Sequence, residues 1–302
     1  MDFDELTWRD HPSNPLIEPP APSWMIADPT VIDPAHSPDG EWRLFANSLL
    51  RIHHYRSPDG VKWRRTGTVC AGIRPFIFSH EGVWHLFHEK FISPRLSCVA
   101  VRRSEDLEKW SAARTVIKPS LPWHGRAVRT CGNPCLVNWN GEFLLFYSAG
   151  TVWLRDCGFP EPRHIGVARG GSPEGPFTPD PEPVISPHPS HPYRNLSAGA
   201  VKVIPDADRG TLWGFNNGIY RDGRGRSRSA ILLLKSPDGV TWNQALDDPI
   251  IQPGKGWKRA LVYALDVKAT PGGARIYYNA RDGWFIGRER IGLALGEKPG
   301  RA

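Results

Sequence analysis

One turn-forming heptapeptide occurs almost twice, as Ser57-Pro-Asp-Gly-Val-Lys-Trp63 and Ser236-Pro-Asp-Gly-Val-Thr-Trp242. Ser104-Glu-Asp-Leu-Glu-Lys-Trp110 and Ser172-Pro-Glu-Gly-Pro-Phe177 are looser copies. A repeat at this scale restricts the fold more than any local propensity, because each copy must be one structural unit packed on its neighbours.

The units come into view upstream of these turns. Asp28-Pro-Thr-Val-Ile, a turn at Ser37-Pro-Asp-Gly, then Glu41-Trp-Arg-Leu-Phe-Ala reads as a hairpin. The same design recurs from Arg74-Pro-Phe-Ile-Phe to Val83-Trp-His-Leu-Phe-His, and from Asn133-Pro-Cys-Leu-Val to Glu142-Phe-Leu-Leu-Phe-Tyr. It returns from Ala198-Gly-Ala-Val-Lys-Val to Thr211-Leu-Trp-Gly-Phe, and from Asp266-Val-Lys-Ala to Ala274-Arg-Ile-Tyr-Tyr. Apolar and polar residues alternate about Gly-bearing turns, the mark of antiparallel hairpins. A third strand follows most hairpins, and the Ser-Pro-Asp-Gly turn leads to a fourth, its aromatic packing between neighbouring units.

A lone four-stranded sheet cannot cover both of its faces; five of them around an axis can. The fifth unit has a third strand at Ile291-Gly-Leu-Ala-Leu but no fourth, and Leu6-Thr-Trp8 followed by Asn14-Pro-Leu-Ile matches the missing one. The expected fold is an all-β five-bladed β-propeller spanning 1–302 as one domain, the N-terminal strand completing the last blade.

Composition agrees. The 302 residues include 30 Gly and 30 Pro, which excludes a long helical bundle. With 40% hydrophobic residues the chain buries enough apolar surface to escape disorder. The net charge of +7 is scattered apart from a cluster at Arg221–Arg228 in a Gly/Ser-rich loop, so nucleic acid is not an expected partner. No apolar run reaches the ~20 residues that span a bilayer, and no membrane partner is expected. The N-terminus lacks an export pattern, and the five cysteines are odd in number, which suits a cytoplasmic protein. Cys131 and Cys135 lack a second ligand pair and are expected to pack as small apolar residues. Neither a metal nor another cofactor is expected.

In a propeller the inner-strand starts converge on one channel mouth, where a small ligand binds. Those starts read Asp28, Arg74, Asn133, Ala198 and Asp266, with His88, Glu89, Asn217, Asn279, Arg281 and Asp282 at the ends of the second strands.

Ala27-Asp28-Pro-Thr-Val-Ile, together with the five hairpins, resembles glycoside hydrolase family 43 and its five-bladed relatives, including families 32, 117 and 130. The resemblance covers nearly the whole chain. It implies a carbohydrate or glycoside substrate and a blade-one aspartate, Asp28, as general base, or as nucleophile in the retaining relatives. In an inverting enzyme of this kind the acid stands ~6.5–9.5 Å from the base.

Two positions depart from the family. Asn133-Pro134 stands where a blade-three aspartate tunes the acid, and Ser197-Ala198-Gly199-Ala200 stands where a blade-four glutamate donates the proton. An amide does not ionise and alanine has no proton to give. Asp266 is the first replacement for the acid and Glu89 the second, with Asp282, His88 and His164 behind them. Arg74, Arg281 and Arg129 would bring positive charge to the substrate, and Asn133 and His88 would bind it. Trp24, Trp123, Trp153 and Trp284 lie in loops, where one or two could stack on a sugar face. Three readings remain: hydrolysis, phosphorolysis with an arginine on phosphate, and a sugar-binding or recruited propeller without this catalysis.

Overall fold

The computed structural model describes residues 1–298, whose strands form five four-stranded antiparallel sheets. The first strand in chain order is β1 (Thr7–Asp10). Blade one is β2 (Ala27–Ile32), β3 (Trp42–Ser48), β4 (Arg51–Ser57) and β5 (Arg64–Ala71). Blade two is β6 (Ile73–His80), β7 (Val83–Ser93), β8 (Leu96–Ser104) and β9 (Arg114–Ile117). Blade three is β10 (Cys131–Trp139), β11 (Glu142–Leu154), β12 (Phe159–Gly170) and β13 (Thr178–Pro179). Blade four is β14 (Val201–Asp206), β15 (Thr211–Arg221), β16 (Ser227–Ser236) and β17 (Asn243–Gln244). Blade five is β18 (Leu261–Thr270), β19 (Gly273–Arg281) and β20 (Glu289–Glu297), and β1 is its outer strand. Thr7 pairs with Glu297 and Asp10 with Ala294, so the ring closes as the sequence predicts. None of the described helices is long and apolar enough to cross a membrane.

The repeated heptapeptide earns its recurrence from its side chains. Ser57 Oγ accepts from Gly60 N at 2.9 Å, and Asp59 Oδ1 accepts from Val61 N and Lys62 N. Ser236 and Asp238 repeat the pattern on Gly239, Val240 and Thr241. Gly60 and Gly239 sit at φ 74° and 76°, where a Cβ is disfavoured, yet Leu107 takes the same place at φ 63°. The turn's aromatic reaches the preceding blade: Trp63 meets Tyr277 edge-on, Trp110 meets Phe45, and Trp242 meets Phe146. Cys131 and Cys135 are buried in the core among apolar side chains.

The inner strands share a distortion. The ladder of β2 skips between Ala27 and Thr30, that of β6 between Ile73 and Phe76, and that of β10 between Gly132 and Cys135. At each bulge one residue turns left-handed: Asp28 at φ 55°, Arg74 at 55° and Asn133 at 48°. A bulge re-aims a side chain and frees an amide from the ladder. Neighbouring blades take up two of these amides, Asp28 N donating to Asn279 Oδ1 at 3.0 Å and Arg74 N to Asn47 Oδ1 at 2.7 Å.

The repeat alignment places the last two inner-strand starts too late or too deep. The β18 strand begins at Leu261 and its bulge lies between Val262 and Leu265, so Tyr263 and Ala264, not Asp266, occupy the mouth position. In blade four Ala198 is fully buried, and Gly199 and Ala200 reach the mouth.

Candidate functional site

The left-handed bulges aim Asp28, Arg74 and Asn133 into one solvent-open cavity of about 440 Å³ at the channel mouth. Blade three adds Phe159 and Glu161, and blade four adds Asn217. Blade five supplies Tyr263, Asn279, Arg281 and Glu289, while Trp24 and Phe285 stand at the rim, both largely exposed. All five blades therefore contribute, as the convergence argument requires.

Three carboxyl groups face this space in different settings. Burial raises the pKa of Asp28 above the ordinary aspartate value, opposed by the charge of Arg74 and reinforced by that of Glu89. Burial raises Glu161 to about 7, again opposed by Arg74. Burial and then the charge of Asp28 raise Glu289 to about 8. Asn279 Nδ2 donates to Glu289 Oε1, and Arg281 Nη1 lies 3.9 Å from Glu289 Oε2. Arg281 also donates to the carbonyls of Gly283 and Phe285, which fixes the connection between β19 and β20. Two buried polar atoms on the lining have no partner among the described residues: Tyr263 Oη and Asn217 Oδ1. A buried polar group is ordinarily satisfied, so these are the natural acceptors of ligand or water contacts.

The predicted site residues divide into two sets. Asp28, Arg74, Asn133 and Arg281 line the cavity. Glu89 lies behind it, its Oε2 accepting from Arg74 Nη1 at 2.7 Å, and a Cβ on Gly132 would strike that carboxylate. His88 is buried beside Glu89, and burial lowers its pKa to about 4, so it is neutral near pH 7. Arg129 donates to the carbonyl of Pro119 at 2.7 Å, away from the lining. Asp266 is buried deeper along β18, where Oδ2 accepts from Val31 N and Thr30 Oγ1. Asp282 pairs with Arg290 at 2.8 Å, and His164 contacts Ser186 Oγ at 2.9 Å.

Of the loop aromatics, Trp24 reaches the rim. Trp123 packs on Tyr147, and Trp284 is held beneath Arg226 and Arg228, leaving its neighbour Phe285 at the mouth.

Glu161, Glu289 and Tyr263 were not among the residues the sequence singled out. Glu161 and Glu289 lie near the mouth-side starts of third strands, a position the inner-strand repeat does not weigh. The signal present for Glu161 was the length of its hairpin, 13 residues in β11 and 12 in β12, which brings Phe159-Pro-Glu-Pro162 over the mouth. Among the described residues no group of three or more His, Cys, Asp or Glu is placed to hold a metal ion.

No protein-family model matches the sequence, and no curated protein matches it either. Solved structures do. An N-acetylgalactosamine deacetylase from F. plautii, in complex with blood group B trisaccharide, superposes with a TM-score of 0.70 at 14% identity, covering 97% of this chain and 96% of its own. The α-L-arabinofuranosidase PaAbf62A from Podospora anserina, in complex with cellotriose, gives 0.71 at 13% identity, with 98% of each chain covered. Zg3597, a family 117 glycoside hydrolase from the marine bacterium Zobellia galactanivorans, gives 0.64 at 13% identity over 98% of this chain and 92% of its own. The fold is that of the five-bladed propeller glycoside hydrolases that the sequence resembles.

Proposed function

We propose that the chain is a carbohydrate-active enzyme that cleaves a glycosidic bond in the mouth cavity, with Asp28 as general base and Glu161 as general acid. The observation that carries this reading is the pair itself: carboxyl groups from blades one and three share one cavity in unlike surroundings. Burial raises both carboxyl groups and the charge of Arg74 opposes it at both, but Asn47 also favours the Asp28 carboxylate, while Glu161, raised to about 7, makes no side-chain hydrogen bond among the described residues. Two carboxyl groups with different environments are what acid and base roles at one pH require.

In this mechanism Glu161 gives its proton to the glycosidic oxygen as the bond from that oxygen to the anomeric carbon breaks. Asp28 takes a proton from water as the water oxygen bonds to the same carbon, and the hydroxyl products leave. Arg74 and Asn47 favour the Asp28 carboxylate against the burial that raises its pKa. Glu289, held by Asn279 and Arg281, together with Asn133, Asn217 and Tyr263, offers hydrogen bonds to sugar hydroxyls. Trp24 and Phe285 present aromatic faces to the apolar side of a ring. The deacetylase and glycosidase likenesses support a carbohydrate ligand, since the complexes named above hold oligosaccharides.

The test is a panel of aryl α-L-arabinofuranosides, β-xylosides and mannosides, each with and without phosphate. Phosphate-independent release of phenol, lost in Asp28→Asn and Glu161→Gln, supports the proposal. Release that needs phosphate makes the chain a phosphorylase. Saturable glycan binding with no product from any glycoside overturns the catalytic reading in favour of a binding propeller.

A further inference from the structure

The two ends of the propeller differ in what their turns expose. Inner strands start at the mouth, so the connections between second and third strands of all five blades lie on that face. Among the described residues nine large apolar side chains are exposed, and every one except Val240 belongs to the mouth face. Blade one presents Leu49 and Leu50, and blade two presents Phe91 and Ile92. Blade three presents Trp153 and blade five Phe285 and Ile286, the last 88% exposed, with Trp24 beside them.

Arginine accompanies these tips. Arg51, Arg95, Arg155, Arg224 and Arg226 sit in or at the ends of mouth-face turns, and among the described residues none forms an ion pair. On the opposite face acidic and basic side chains are matched locally: Asp39 and Glu41 pair with Arg43 and Arg56, Glu142 with Arg169, and Asp206 with Arg209 and the N-terminus. Excess positive charge and exposed apolar side chains thus meet on one surface around the cavity.

From this juxtaposition we propose that the mouth face docks on an anionic lipid surface. Leu49, Leu50, Phe91, Ile92, Trp153 and Ile286 insert at the boundary of headgroups and acyl chains, Trp24 and Phe285 stay with the cavity, and unpaired arginines take lipid phosphates. Such a face needs no spanning helix. A second copy fits worse, because face-to-face pairing would set one arginine ring against another. Nucleic acid would use the arginines but not Leu49, Leu50, Ile92 or Ile286, which have no π-face on which a base can stack. A neutral glycan uses neither the arginines nor the aliphatics.

The experiment is flotation of the whole protein with vesicles of phosphatidylcholine alone, or of equal parts phosphatidylcholine and phosphatidylglycerol. No substrate is present, so its outcome is independent of the glycosidase reading. The protein should float with the mixed vesicles, lose that association as salt rises, and stay behind with phosphatidylcholine alone. The triple variant Leu50→Ser, Ile92→Ser, Ile286→Ser alters exposed side chains and should keep its circular dichroism while losing on the order of tenfold or more in partitioning at low salt. Arg51→Ser, Arg155→Ser, Arg224→Ser should lose at least as much. The proposal is overturned if the folded protein ignores mixed vesicles, or if the apolar variant floats as well as the parent. It is equally overturned if duplex DNA binds as tightly at the same salt, or if lipid-free protein is a dimer that the apolar substitutions dissociate.

Discussion

Oδ2 of Asp266 in β18 accepts a hydrogen bond from the backbone N–H of Val31 in β2 at 2.6 Å, joining the last blade to the first. The same oxygen accepts from Thr30 Oγ1 at 3.1 Å and lies 3.3 Å from Lys268 Nζ, while Oδ1 accepts from Val267 N. Asp266→Ala strands buried donors in both blades and should cost about 2–4 kcal/mol, lowering the thermal midpoint by several degrees. Turnover per folded molecule, measured well below that midpoint, should stay within a few-fold of the parent. A thousandfold fall with an unchanged midpoint would make Asp266 catalytic.

Asp28→Asn has the opposite signature. It should remove at least about a thousandfold of kcat, while the midpoint moves little because Arg74 keeps its bond to Glu89. Glu161→Gln should fail on substrates with poor leaving groups. On dinitrophenyl glycosides, whose leaving oxygen needs no proton, most of the activity should return.

Proton inventory predicts how stability varies with pH. Glu161 at about 7 and Glu289 at about 8 both lie above the ordinary glutamate value of 4.5, so the folded chain holds protons that the unfolded chain has released. Unfolding then releases protons, and stability should fall as the medium rises from about pH 5 to 8. Each group contributes up to roughly 3 kcal/mol across that window. Denaturant melts at both ends of the range should show the slope, and Glu161→Gln with Glu289→Gln should flatten it.

Glu89 acts on Asp28 through charge. Its carboxylate raises the pKa of Asp28, and it holds the guanidinium of Arg74. Glu89→Gln should therefore move the acidic limb of the kcat/KM profile to lower pH and leave the alkaline limb in place. An unshifted acidic limb would separate Glu89 from the base.

The propeller was legible because its turn chemistry is written in side chains: Ser57 with Asp59 and Ser236 with Asp238 make the same hydrogen bonds in different blades. Asp28, Arg74 and Asn133 were legible for a related reason, since each precedes a proline at an inner-strand bulge. Tyr263 has no such proline, and the acidic residue three positions on drew the alignment to Asp266. Glu161 and Glu289 were hidden because their places depend on hairpin length and on how third strands lean over the mouth, which a repeat within the chain does not encode.

The pairing of β1 with β20 has a temporal consequence. During synthesis β1 has no partner until Glu297 has followed it. While blades one to four are being made, β1 stays unpaired and the ring unclosed, with the flank of blade one uncovered. Blades one to four can form in order of their appearance, whereas the seam waits for β20, so ring closure is the step at which a chaperone that shields strand edges would matter most.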